Sequence, residues 1–517
     1  MTPARRSGRP GAGPGAALLL AACVLLVTGC TAPAPAAAGD TVRIVLGEEP
    51  PTLEPCDASL TGTGVVVRSN ITEPLVERAP TTGALEPLLA ISWTRTTPET
   101  WTFRIRDGVR FSDGTPFDAS AAAFSIDRAV NSSIGCNVEG YVFGDEDLEV
   151  AAPDPTTLTV TSPEPDPILP LRLSFVEIVP PGTDAAAKVR IPVGTGPYRV
   201  QQWDAGTRLV LGRNPGYWGD PPAYARADYR WRSDASVRAA MVVNGEAEIA
   251  TGLGPEDGAD ELGVSYPNNE TTAVRIQATE APLTDRRVRE AVGLSVDRTG
   301  IISALLEGDG EPAAQLVPDG VVGHDENLVP ASFDVAQARA LVDSARADGV
   351  DTSTPIRLIA RTGLFPRVEQ VTQAIAYQLE QAGLTIRIEM MDTAAQTEYQ
   401  QRPFPPGSGA YLLVIQHGNQ AGDAAFSIDQ YLRSDGFQSS YGTPELDARI
   451  DEAGSRSGVE RGAALGAIFA AEPVLVGQYA YIAHMRGILA RSPSVDYTPN
   501  AATGDEMRLA EMTPRTP

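Results

Sequence analysis

Residues able to do chemistry are few in this chain, and their spacing excludes most reactions. His324, His417 and His484 are the only three histidines in 517 residues, and they lie far apart in sequence. No H-E-x-x-H pair occurs, so the helical zinc site of a zincin is not encoded. Lys188 is the single lysine against 40 arginines, and it sits in Ala187-Lys188-Val189 with no glycine-rich loop before it. A P-loop needs a lysine after its glycines to reach the phosphates, so hydrolysis of ATP by this chain is not expected. No G-x-S-x-G elbow is present; Gly454-Ser455-Arg456-Ser457-Gly458 has an arginine at its centre and reads as a polar turn. No G-x-G-x-x-G follows a strand pattern. The 66 acids make paired carboxylates common and therefore uninformative. The sequence thus gives no catalytic set, no metal-ligand set and no cofactor motif, and the chain is read as a non-enzyme.

Cysteine is the remaining reactive type, at positions 23, 30, 56 and 136. The first two lie in or beside an apolar segment, LLLAACVLLVTGC, over residues 18–30. Arg5, Arg6 and Arg9 precede it. The apolar core is shorter than the roughly 20 residues that span a bilayer. A charged start, an apolar middle and small residues before a cut site describe an export signal. Val27-Thr28-Gly29-Cys30 resembles the bacterial lipobox. That resemblance implies a lipoprotein signal peptide over residues 1–29 and a diacylglyceryl group on Cys30. The alternative is an uncut signal anchor. Residues 30–39 are Pro- and Ala-rich and are expected to be an extended tether. The expected location is the outer face of the cytoplasmic membrane, held there by lipid. Outside that membrane, Cys56 and Cys136 are expected to pair. The bond would close a long loop, worth roughly 4 kcal/mol by chain entropy. Two free buried thiols are the alternative.

The formal net charge is −25, and loss of the three signal arginines makes it more negative. Such a chain repels nucleic acid, which is bound through basic patches. It also gains little from anionic headgroups, so lipid would have to do the anchoring.

The elements follow from periodicity. Residues 41–47 (TVRIVLG) alternate as a strand. Residues 101–106 alternate, Asp107-Gly108 marks a turn, and 109–111 resume the pattern, which predicts a hairpin. Residues 112–116 (SDGTP) turn again and 120–130 predict a helix. Further on, 356–360 predict a buried strand, 367–382 a helix stopped by Gly383, and 385–390 another strand. Strand, helix and strand in this order predict a βαβ unit. Asp334 caps a predicted helix over 335–347 that stops near Gly349. Segments 152–155 and 162–170 are Pro-rich and are expected to be surface connections. The fold class is α/β.

Residues 101–119, WTFRIRDGVRFSDGTPFDA, closely resemble the signature of the family 5 extracellular solute-binding proteins, the peptide- and nickel-binding components of ABC importers. Further motifs follow in that family's order. They are Gly194-Thr195-Gly196-Pro197-Tyr198 leading to Trp203, then Arg213-Asn214-Pro215-Gly216-Tyr217-Trp218. Next come Asn244-Gly245-Glu246-Ala247-Glu248-Ile249-Ala250, with Glu248 for the usual Asp, and DRRVREAVGLSVDR over 285–298. Leu53-Glu54-Pro55 and Thr72-Glu73-Pro74-Leu75 fit as well. The resemblance spans roughly residues 41–500. Physically, most of these residues read as scaffold. Asp-Gly pairs make tight turns. Trp101, Phe103 and Phe111 are expected in the core. Gly194, Gly196 and Pro197 are expected to shape a chain crossing, and Asp285, Arg287, Arg289, Asp297 and Arg298 to hold helices and caps through ion pairs.

The resemblance implies a two-lobed periplasmic-binding-protein-like fold of class II type, with an extra subdomain inserted in lobe I. Mapped here, lobe I takes 40–75, 185–279 and 476–517, the extra subdomain 76–184, and lobe II 280–475. It implies a monomeric receptor that captures a small solute between its lobes and hands it to permease subunits served by a separate ATPase. In the family's peptide binders an acid of lobe II receives the ligand's ammonium, in a segment resembling Trp-x-x-Asp-x-Pro-Asp. Here residues 415–426 read IQHGNQAGDAAF, without the tryptophan or the Asp-Pro-Asp. Asp423 is then the candidate acid, with Gln416, His417 and Asn419 as cleft-lining candidates. Glu54 and Asp57, just after the first strand, are further candidates. Oligopeptides are the favoured ligand. Metal chelates, opines, haem and oligosaccharides are alternatives, as is a sensor lipoprotein that does not transport. Scarcity of histidine argues against a bare metal ion. A surface hydrolase is a third class, for which no nucleophile is visible.

Overall fold

The computed structural model describes residues 39–515 apart from 60, 81, 145, 258–259, 501 and 504–505. The expected signal peptide, the lipid on Cys30 and all of the tether but Gly39 lie outside the described residues.

Among the described residues, eleven strands make one mixed sheet. One half is organised around Thr41–Leu46, whose alternating Val42, Ile44 and Leu46 are buried. This strand lies parallel between Arg226–Trp231 and Ile249–Leu253. Arg208–Arg213 and Tyr198–Asp204 extend the half antiparallel. The other half contains Ile356–Arg361, parallel to both Ile386–Met391 and Tyr411–Gly418. Helix Val368–Gln381 makes the crossover, and Gly383 ends it at φ 92°. The expected βαβ unit is therefore present. Helix Val335–Ala347 also forms as read, with the Asp334 carboxylate accepting from Gln337 N.

Two long antiparallel strands join the halves, Gly263–Ile276 and Tyr479–Arg491. Residues 263–267 pair with 486–490, whereas 271–275 pair with 479–484 and 270–276 with 412–418. The register shifts between Pro267 and Thr271 and again between Thr272 and Ala273. Such bulges bend a strand and increase its twist, so the sheet changes direction between its halves. Asn269 takes φ 61° at this bend, a conformation that asparagine tolerates.

A separate four-stranded sheet runs in the order Ala90–Arg95, Thr100–Ile105, Thr157–Thr161, Glu149–Asp154. Helix Ala119–Ile126, capped by Asp118, packs on it and widens into a π-helical turn over Asp127–Asn131. Phe103 and Phe111 are buried in this core, while Trp101 is only partly buried and donates through Nε1 to Asp166 O (2.9 Å). The hairpin expected over 101–111 does not form. Both edges of Thr100–Ile105 are already occupied by Ala90–Arg95 and Thr157–Thr161. Asp107-Gly108 does turn the chain, but 109–111 fold back on 115–117, with Phe111 N bonded to Thr115 O (2.9 Å) and Phe117 N to Val109 O (3.0 Å). The two Pro-rich joints reach the surface as expected, with 153–155 and 163–165 exposed. Residues 152–154 finish a strand of this sheet. Only beyond Pro165 does the second joint turn inward, with Asp166 buried and bonded to Arg172 Nη1 (2.6 Å).

Gly194 and Gly196 mark a close crossing of two chain segments. A Cβ on Gly194 would lie 2.1 Å from Ile71 O, and one on Gly196 would lie 2.6 Å from Asn70 O. Asp285 and Asp297 cap their helices as expected, and Arg287 bridges Asp285 and Asp348. Arg289 and Arg298 do otherwise. Arg289 donates to the carbonyls of Leu283, Thr284 and Val476, and Arg298 to those of Gly293, Val296, Ala331 and Tyr481. These are buried guanidiniums that satisfy chain ends with five fixed donors. Desolvation pushes Arg298 down to about 10.

Candidate functional site

Open α/β sheets leave a crevice beyond the carboxyl ends of their strands. Strand Tyr411–Gly418 buries Leu412 and Val414 on one face and Leu413 and Ile415 on the other. At Gln416 the apolar alternation stops and the chain emerges into a cavity of about 310 Å³. One wall holds Gln416, His417, Asn419 and Gln420, then Asp423, Phe426, Ser427, Gln430 and Tyr431 from the next helix. Gln400, the last residue of helix Thr393–Gln400, and Gln438 close it from the side. Ser59, from the loop after the first strand, and Asn137, from the segment that carries the small sheet, face them.

That opposing wall is built by a covalent link. Cys56 and Cys136 are disulfide-bonded with Cα atoms 5.3 Å apart. The bond brings together two loops 80 residues apart in sequence. Ser59 Oγ then donates to Asn137 Oδ1 (2.5 Å), and Asn137 N donates to Asp57 Oδ1 (2.9 Å). Lys188 Nζ donates to both Asp57 oxygens (2.8 and 2.9 Å). Glu54 is wholly buried and accepts from Arg128 Nη1 (2.7 Å), Arg128 Nη2 (3.1 Å), Cys56 N and Val189 N. Glu54 and Asp57 are therefore beside the wall and hold it in place; neither lines the cavity. Their sequence position after the first strand is right, but both carboxylates are turned into the scaffold.

His417 is buried and donates through Nε2 to Ser427 Oγ (2.6 Å), because that hydroxyl itself donates to Asn419 Oδ1 (3.1 Å). Burial pushes His417 down to about 3, so the imidazole is neutral at ordinary pH. Its ring packs on Tyr431 with centroids 4.4 Å apart. Asn419 spends its amide on Asn269 O and Leu316 O (3.3 Å each), which ties the cavity to the bend of the long strands.

Asp423 lies at the wall but is not a waiting anion. It caps helix Ala424–Tyr431 through Ala425 N (3.0 Å), and Arg461 grips both its oxygens at 2.6 and 2.9 Å. The two side chains are 4% and 6% exposed. A bidentate, buried guanidinium–carboxylate pair is strong and directional. The amine expected from a ligand is replaced by Arg461 of helix Gly458–Leu475.

The structure thus gathers Gln416, His417, Asn419 and Asp423 and leaves Glu54 and Asp57 outside. Sequence reasoning missed Ser59, Asn137, Gln400, Gln420, Gln430 and Gln438. The one signal pointing toward two of them was the expected pairing of Cys56 with Cys136. Among the described residues no helix is long and apolar enough to cross a membrane, and no three His, Cys, Asp or Glu side chains group as a metal site would require.

Comparison with known proteins bears on this arrangement. The model of the bacterial extracellular solute-binding proteins, family 5, middle, matches residues 84–439. The probable D,D-dipeptide-binding periplasmic protein DdpA of Escherichia coli is 27% identical over 395 residues, covering 71% of this chain and 72% of that protein. The glutathione-binding protein GsiB of Shigella dysenteriae is 25% identical, with 79% of this chain and 80% of that one covered. Other GsiB sequences are matched over 66% of their length. Among solved structures, the ABC transporter-associated periplasmic binding protein DppA of Helicobacter pylori, in complex with the peptide STSA, superposes with a TM-score of 0.77. It is 17% identical, and the match covers 92% of this chain and 98% of that one. The fold is accordingly the two-lobed α/β binding-protein fold, and the chain belongs to the family 5 bacterial extracellular solute-binding proteins.

Proposed function

We propose that this protein is a monomeric solute receptor, held by lipid on Cys30 at the outer face of the cytoplasmic membrane, that presents oligopeptides to the permease of an ABC importer. It binds and releases its solute without chemical change. Lobe I takes residues 40–75, 185–279 and 476–517, the extra subdomain 76–184, and lobe II 280–475. The observation that carries the reading is the cavity itself. Its walls come from distant parts of the chain, Ser59 and Asn137 on one side and the 416–438 segment on the other, so one ligand can touch both at once. Contacts made in the closed state alone shift the population toward closure. A permease can then distinguish loaded from empty receptor. The peptide relatives and the peptide-bound structural neighbour support the ligand class.

The test is native mass spectrometry of the chain purified without unfolding, with Cys30 replaced and the tether trimmed. A heterogeneous mass excess that fragments into short peptides is expected. A single adduct of another chemistry would keep the receptor and replace the ligand. An unliganded mass, followed by no thermal shift with a peptide library, would remove the peptide assignment.

A further inference from the structure

Seven of the cavity's lining residues are carboxamides: Asn137, Asn419 and glutamines 400, 416, 420, 430 and 438. Of the described lining residues, Asp423 is the only acid and no lysine or arginine is among them. We infer that this cavity takes an uncharged part of the ligand rich in hydrogen-bonding groups, a carboxamide or a hydroxylated moiety, and excludes a ligand ammonium or carboxylate. The inference rests on the receptor reading above and narrows it.

Two observations carry it. The first is that the charges near the cavity are already spent. Asp423 is held by Arg461. Arg275 donates to the carbonyls of Gln400, Gln438 and Tyr399, and Arg402 to those of Ser434 and Ser439. Arg78 donates to the carbonyls of Gln420 and Ala502. A charged ligand group entering here would lose water without meeting a counter-charge, which burial penalises heavily. Neutral His417 adds none.

The second is that amide groups are left over. The side chains of Gln416 and Gln420 make no hydrogen bond among the described residues. Gln400 gives its NH₂ to Gln438 Oε1 (2.7 Å) and keeps its oxygen. Asn137 accepts from Ser59 through Oδ1 and keeps its NH₂. The cavity therefore presents unspent donors and acceptors together, which only a group offering both can satisfy. Its volume is at the small end of ligand pockets.

The test uses the disulfide-intact soluble chain, with Cys30 replaced, in titration calorimetry. The probes are Gly-Gln-Gly, its anionic isostere Gly-Glu-Gly, the cationic Gly-Lys-Gly, the N-acetylated and amidated form of Gly-Gln-Gly, and the neutral sugar maltotriose. Gly-Gln-Gly should bind at least tenfold tighter than either charged peptide, and blocking its ends should change affinity by less than about threefold. Gln416→Glu should reverse the order in favour of Gly-Lys-Gly without changing the thermal midpoint. Tighter binding of either charged peptide, or loss of binding on blocking the ends, overturns the inference. Maltotriose bound while all peptides fail would remove the peptide reading and leave the neutral-ligand inference standing. Failure of every neutral probe would overturn the inference.

Discussion

Replacing Asp423 separates a ligand-binding acid from a structural one. The Asp423–Arg461 pair is bidentate at 2.6 and 2.9 Å, with side chains 4% and 6% exposed. Removing one partner of a buried pair leaves an uncompensated charge and costs about 3–5 kcal/mol. Asp423→Asn isolates that effect, because asparagine caps a helix about as well as aspartate. The expected loss therefore comes from Arg461 left without a counter-charge, at a site where the cap survives. Arg461→Met should cost a similar amount by stranding the carboxylate. The double variant Asp423→Asn/Arg461→Met should recover most of it, since a neutral buried pair pays no ionic desolvation. The assay is urea denaturation of the wild type and three variants with the disulfide intact, closed as a double-mutant cycle. A coupling energy of about 2 kcal/mol or more is expected, with ligand affinity of the folded Asp423→Asn protein within threefold of wild type. Wild-type stability with a hundredfold loss of affinity would refute this. The carboxylate would then be the ligand's counter-ion, and Arg461 only its resting partner.

Three other perturbations probe the frame around the cavity. Glu472 is fully buried, accepts from Gln478 N through Oε1 (2.8 Å), and has no partner for Oε2 among the described residues. Burial pushes its carboxyl from 4.5 up to about 7. The folded value exceeds the unfolded one, so its stabilising contribution is full below 4.5 and is lost as pH rises through 7; over that window it amounts to about 3 kcal/mol. Glu472→Gln should flatten this part of the pH dependence in urea midpoints at pH 5 and 8, and equal slopes for both proteins would count against it. Cys56→Ser/Cys136→Ser opens a loop with a sequence separation of 80, which chain entropy values at about 4–5 kcal/mol. A lower thermal midpoint and weaker ligand binding are expected, since Ser59 and Asn137 lose their tie; unchanged binding in the folded protein would show that the wall assembles without it. Gly194→Ala drives a Cβ to within 2.1 Å of a backbone oxygen and should prevent soluble accumulation, whereas Gly108→Ala, at φ 80° with open space around it, should cost about 1–2 kcal/mol of backbone strain in the same expression and melting assay.

What the sequence disclosed and what it hid divide along physical lines. Local signals were reliable where one residue does one job. Asp285, Asp297 and Asp334 cap helices, Gly383 ends one, and Gly194 and Gly196 let two segments cross. The parallel pairing of Ile356–Arg361 with Ile386–Met391 followed from their periodicity and the helix between them. Alternation alone does not choose a partner, which is why 109–111 did not return to Thr100–Ile105. Nor does it reveal a buried arginine whose partners are carbonyls, as at Arg289 and Arg298. The site was half legible. Gln416, His417, Asn419 and Asp423 fall in one short stretch that a family resemblance can point to. Gln400 and Gln430 sit near helix ends and Gln438 in a loop, with no period, charge or spacing to distinguish them from other glutamines. Asn137 reaches the cavity only because a disulfide carries it there.

The same division explains how a strongly acidic chain can offer a neutral cavity. Each candidate acid near the site is committed to a basic partner: Glu54 to Arg128, Asp57 to Lys188, Asp423 to Arg461. Two of these pairs are almost fully buried and resist rearrangement, while the Lys188 pair is partly exposed and weaker on its own. Together with the disulfide they fix the loops that carry Ser59 and Asn137 and the turn that starts Ala424–Tyr431. Fixing the walls lowers the ordering cost of binding. It also leaves the glutamines as the groups whose hydrogen bonds are still to be made. Selectivity would then come from matching donors to acceptors, where a missing partner is expensive, and not from attraction of opposite charges, which salt would screen. Ligand affinity that is nearly independent of ionic strength between 20 and 500 mM follows from this for Gly-Gln-Gly; a fall of tenfold over that range would mean that an unneutralised charge, not the amide set, holds the ligand.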